Sequence, residues 1–185
     1  MKKIFLYTVL FFLFCGNVIA NTKDREIKLD QLFEKLKKSN NNSVAFEIEM
    51  KIWNIWSTHP NQKELTESLV KGSNLMSRGE LEKAYEIFSV IIDSAPDWAE
   101  GWNKRATVLY LMGRYQESLE DIDEVLKHES RHFGALSGQG LVQTALENYE
   151  KAIKSYEAVQ KIYPSIKSAE VMIPQLKKLI KDNAI

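Results

Sequence analysis

Between residues 65 and 166 the chain repeats itself with a period of 34. Gly72, Ala106 and Gly140 stand one period apart, as do Leu81, Tyr115 and Tyr149, and then Ala84, Ser118 and Ala152. Phe88, Ile122 and Tyr156 follow in step, and Pro96, Ser130 and Pro164 close each period. Small residues recur where two helices must touch, large apolar ones where they must fill, and a breaker where a pair must end. A fixed period of this length marks a helical repeat array, in which each unit buries its apolar face against its neighbours. The expected fold class is all-α: an α-solenoid of antiparallel helix pairs with units at 65–98, 99–132 and 133–166.

Within each unit a first helix, a turn and a second helix follow in order. Gly79 and Gly113 supply the turn in the first two units, where a positive φ is easiest without a Cβ. The third unit carries Glu147-Asn148 there, and Asn148 is the residue expected to take the left-handed conformation. Residues 21–64 read as an N-terminal helical hairpin that caps the array as an atypical terminal unit. Its first helix carries Leu29, Leu32, Phe33 and Leu36 at helical spacing, and Asn42 or Ser43 is expected to cap the second. That second helix is apolar over much of its circumference, with Trp53 and Trp56 read as packing residues. Residues 167–185 read as one capping helix that contains Pro174.

Residues 1–20 stand apart from this pattern. Lys2 and Lys3 precede an apolar run from Ile4 to Cys15, and Val18-Ile19-Ala20 provides small or modest residues before a cut. That is the layout of a signal peptide cleaved after Ala20, with no stable membrane insertion expected afterwards. Removing Lys2 and Lys3 from the 25 basic residues leaves 23 against 25 acidic ones, a net charge of −2. A near-neutral chain gives no electrostatic argument for nucleic acid. Cys15 is the only cysteine, so the remainder has no disulfide frame.

The chain resembles the tetratricopeptide repeat (TPR) family, whose unit carries Trp, Leu, Gly, Tyr, Ala, Phe, Ala and Pro at fixed places. Gly72, Leu81, Ala84, Phe88, Pro96, Trp102, Ala106, Tyr115, Gly140, Tyr149, Ala152, Tyr156 and Pro164 fall on that pattern. Ser118 and Ser130 depart from it at a small-residue and a breaker position. The run from Asp97 to Thr107 also resembles exported bacterial TPR-containing proteins, which implies a periplasmic location.

The resemblance implies that the first helix of each unit lines a concave groove. The groove positions are then Thr66, Leu69, Ser73 and Met76; Glu100, Asn103, Thr107 and Tyr110; and Gly134, Ser137, Leu141 and Thr144. Members that grip a terminal carboxylate place Lys, Asn and Arg in the groove, and here only Asn103 lies nearby, out of step. A neutral lining suits an extended segment or an amphipathic helix held by apolar anchors. The hairpin or the cap covering part of the groove is the competing expectation.

One motif points to an enzyme. His128-Glu129-Ser130-Arg131-His132 matches H-E-x-x-H, whose two histidines bind zinc from one face of a helix. The repeat places Ser130 in the turn between two units, so the two side chains should diverge, and a surface histidine pair without a role is the expectation. Glu117, Glu120, Asp121, Asp123 and Glu124 read as a solvated outer helix face. The expected function is a non-catalytic scaffold that needs no cofactor. It would hold a peptide segment or helix of an envelope protein in its groove. The alternatives are a structural subunit that uses its outer face and, remotely, a zinc hydrolase.

Overall fold

A computed structural model describes residues 23–183, and these are helical throughout apart from short turns. The proposed signal peptide lies outside the described residues. Helix α1 covers 23–38, followed by α2 (Asn42–Trp56), α3 (Lys63–Ser77), α4 (Leu81–Ser94) and α5 (Ala99–Leu111). The array continues with α6 (Tyr115–His128), α7 (Phe133–Ala145), α8 (Tyr149–Ile162) and α9 (Lys167–Asn183). No helix among the described residues is long and apolar enough to cross a membrane.

From α3 to α9 each helix packs on the next, while α3, α5, α7 and α9 also touch in turn. These alternate helices form one face of the stack, and α4, α6 and α8 form the other. The repeat is a close-packing rule made visible. A Cβ added at Gly72 would lie 2.6 Å from Phe88 Cε1, and one at Gly140 would lie 2.6 Å from Tyr156 Cζ. Each glycine therefore admits the aromatic ring of the following helix. The middle unit uses the smaller Ile122 and correspondingly tolerates the methyl of Ala106. Ser118 is not a weak point, because its buried hydroxyl donates to the Ala106 carbonyl at 2.8 Å.

The turns correct one expectation. Gly79 and Gly113 have φ of 77° and 74°, and in the third unit Glu147 takes the left-handed place at 59°. Asn148 follows it at −83°, where it precedes α8. The cap of α2 is likewise one residue earlier than expected: the Asn41 carboxamide oxygen accepts from the Ser43 and Val44 amides.

The hairpin α1–α2 is more than an end cap. Its apolar residues share one core with the third unit and α9, joining Leu29, Leu36 and Ile52 to Phe133, Tyr156 and Leu176. Phe33, Trp53 and Trp56 all have ring contacts with Phe133 at the start of α7. Trp98, in the turn before α5, donates its indole N–H to the Trp56 carbonyl at 2.9 Å. The hairpin thus crosses the N-terminal ends of α5 and α7 and sits along the edge of the stack.

Candidate functional site

The concave face opens into a cavity of about 190 Å³ between α5 and α7. Its cause is the middle unit's departure from the repeat. Phe88 and Tyr156 fill the space beneath their own first helices, whereas Ile122 is shorter and leaves a void floored by Ala106, Ala135 and Val142. Gly138 borders that void: a Cβ there would meet only Ile122 Cδ1, at 3.8 Å. Thr107, Tyr110, Ser137 and Leu141 form the rim, and no charged side chain lines the space.

The expected groove residues divide three ways. Asn103, Thr107, Tyr110 and Leu141 converge on this cavity. Ser73 and Met76 stand on α3 away from it, and Thr144 lies further along α7 with its hydroxyl on the Gly140 carbonyl. Leu69 is a correction. It is 2% exposed and packs in the core of the first unit with Leu65 and Phe88, so it does not face the groove. Asn103 is itself buried and donates its amide to Glu100.

Beside this cavity lies a second of about 540 Å³, bounded by α2, α7 and the start of α9. The two share Gly134 and Ser137. The hairpin therefore does occupy part of the groove. Trp53 fills the place in front of Gly134, where an added Cβ would come within 2.5 Å of the indole ring. Phe46 on the same helix borders the second cavity and is 58% exposed. Sequence reasoning missed Phe46. The signal was a second stripe, Phe46, Met50 and Trp53, separate from the buried Ile48, Ile52 and Ile55.

The histidine motif forms a different object from the one its pattern suggests. His128 is exposed at the end of α6, while His132 is fully buried at the start of α7, so the pair is no surface feature. The His132 ring stacks on Trp56 at 4.0 Å, and its Nδ1 accepts the Ala135 amide, capping α7. With Nδ1 an acceptor, Nε2 carries the hydrogen and faces Glu100 Oε2 at 3.2 Å. Glu129 binds Arg131 through both oxygens. No group of three or more metal-binding side chains is assembled among the described residues.

Glu100, expected in the groove, is 1% exposed. Burial pushes its carboxyl up, but the His132 hydrogen bond and the charge of Lys104, 3.1 Å from Oε1, outweigh this and hold it below the ordinary carboxylate range. Lys104 in turn lies 5.7 Å over the Trp53 ring. This cluster locks the hairpin to α5 and α7. Asp121 is a further correction: it is buried and accepts from Nε and Nη2 of Arg105, each at 2.8 Å, so it does not belong to a solvated face.

Comparison with known proteins agrees with this architecture. The family model of the tetratricopeptide repeat matches residues 135–166. A TPR repeat-containing protein of Rhizobium etli is 32% identical over 173 residues, covering 90% of this chain and 80% of that protein. Among solved structures, the first TPR of Spaghetti (RPAP3) bound to the HSP90 peptide SRMEEVD superposes with a TM-score of 0.63 at 18% identity, covering 65% of this chain and 96% of that one. A point mutant of MamA superposes over 87% of this chain and 90% of its own, with a TM-score of 0.54 at 13% identity. At these identities the solved structures speak to the fold alone.

Proposed function

This chain belongs to the tetratricopeptide repeat family, and on that premise we propose that it is a non-catalytic protein-interaction module whose concave face holds a segment of a partner protein. The observation that carries the reading is the uncharged cavity between α5 and α7, with Leu141 42% exposed at its rim. A concave, apolar site with a few polar groups at its edge is the usual form of a binding site. The Spaghetti (RPAP3) domain holds a peptide rich in acidic residues, SRMEEVD. This cavity has no cation in its lining to meet such a peptide, so the partner segment is neutral and apolar where it enters. The same proposal includes export with cleavage after Ala20 and an envelope partner, on the strength of Lys2, Lys3 and the apolar run that follows.

Crosslinking in cells followed by affinity capture tests this. Leu141→Glu puts a charge at the rim without entering the core, and should abolish recovery of the partner obtained with the wild type. Recovery unchanged by Leu141→Glu, but lost on replacing outer-face residues of α4 and α6, would instead assign a structural subunit. The captured wild-type chain should begin at Asn21.

A further inference from the structure

We infer that the segment bound in this groove is an α-helix carrying an uncharged apolar stripe, and not an extended strand; the inference rests on the groove reading above. Hydrogen bonds distinguish the two. An extended ligand brings backbone N–H and C=O groups that need partners once water is excluded. The linings leave two hydroxyls open, that of Tyr110 at the first cavity and that of Ser165, buried without a partner, at the second, too few for an extended backbone, and most of the other hydroxyls are engaged. Thr107 Oγ1 donates to the Asn103 carbonyl at 2.9 Å, Thr144 Oγ1 to that of Gly140 at 2.7 Å, and Ser73 Oγ to that of Leu69 at 2.8 Å. Ser118 is spent on Ala106, Ser137 and Ser168 share one hydrogen bond, and one N–H of the Asn103 amide is held by Glu100. A helix satisfies its own backbone and presents only side chains.

What the face does offer is apolar and correctly spaced. The two adjoining cavities open on successive turns of α7, around Gly134 and Gly138, about 5–6 Å apart along the helix. Apolar side chains at i and i+4 of a docked helix have about the same separation. Phe46 of α2 lines the second cavity and Leu141 of α7 the first, both exposed, and the exposed Met50 of α2 and Val171 of α9 lie one helical turn from the lining residues Phe46 and Ser168. Charge complementarity points the same way. The first cavity has no charged lining, and both oxygens of Glu49 in the second are taken by the Trp53 indole and the Tyr163 hydroxyl. Lys167, also there, is paired with Glu170. The open stripe of α2 is not a feature of the 34-residue repeat, so this wall belongs to the chain's own hairpin.

The test is peptide display against the full chain with two libraries, one randomised on the face of a fixed helix and one linear with prolines that prevent helix formation. The plug is Gly138→Leu, at a position with room for a side chain, and its fold is checked by its melting curve. Val90→Ser on the outer face of α4 serves as the control. Binders from the helical library, with apolar residues at i and i+4, that bind Val90→Ser and lose Gly138→Leu support the inference. Binders that depend on Gly138 but come only from the linear library overturn it and leave the groove reading standing. Binders from either library that survive both Gly138→Leu and Leu141→Glu, or no binders at all, overturn the groove reading as well.

Discussion

Glu147 is the one non-glycine residue among the described positions with a positive φ, and it occupies the place that Gly79 and Gly113 hold in the other units. Its Cβ crowds the backbone there at a cost of roughly 1–2 kcal/mol. Glycine removes that cost but adds disorder to the unfolded chain, which returns roughly 0.4–1 kcal/mol. Glu147→Gly is therefore expected to stabilise by about 0.5–1 kcal/mol and to raise the melting temperature by about 2 °C. A variant that melts lower would show that the exposed Glu147 side chain makes a compensating contact. The period alone puts Glu147, 34 residues after Gly113, at this place. Favouring Asn148 followed residue preference over register, and the register prevailed because the hydrogen bond of the Asn148 amide to Gln143 matches those of Glu80 to Leu75 and Arg114 to Leu109.

At the scale of elements, the helices of the repeat were legible because their contacts are local and recur. The seat of the hairpin was not, because the residues that fix it appear once. Trp53 and Trp56 lie outside the repeat, and their partners stand where the three units differ: Gly134 and Glu100 are equivalent to Thr66, and His132 to Trp98 and Ile166. The cavity had a faint signal in Ile122 standing where the other units carry Phe88 and Tyr156. Its consequence depends on packing that spacing cannot express. The buried cluster also gives the hairpin junction a pH dependence. The folded-state pKa of Glu100 is lowered, so its contribution is present above the ordinary value of 4.5 and is lost as the pH falls through the folded value. Glu100→Gln leaves His132 and Lys104 without their anion, at a cost of about 3 kcal/mol near neutrality. Melting curves from pH 7 down to about 3 should show the wild type losing its advantage below pH ~4.5, the two proteins converging in acid. A constant gap across that range would remove Glu100 from the account.

For the whole molecule, the hairpin changes what kind of array this is. A linear solenoid gains stability from each unit and each interface between neighbours, and its ends fray first. Here the chain's first helices return to the third unit and to the turn that precedes it, with Phe33 and Trp56 on Phe133, Arg131 on Asp30 at 2.5 Å, and the Tyr163 hydroxyl on Glu49. The hairpin, α7, α8 and α9 share one apolar core, while α3 and α4 belong to another with Trp98 and Val108. The exposed end of the array is then the first unit, where Val70 on α3 and Val90 on α4 face solvent. Sub-global opening follows such core boundaries, so amide exchange should be fastest among helix interiors in α3 and α4, with α1 and α2 protected together with α7 and α8. Trp53→Ala removes the ring that bridges hairpin and groove, and should raise exchange in α1, α2 and the start of α7 together while α3 is unaffected. Exchange rising in α1 and α2 alone would mean that the hairpin is an independent appendage. Coupled exchange would mean that the wall of the groove and the core of the array open as one unit, so a ligand seated against Phe46 and Leu141 stabilises both.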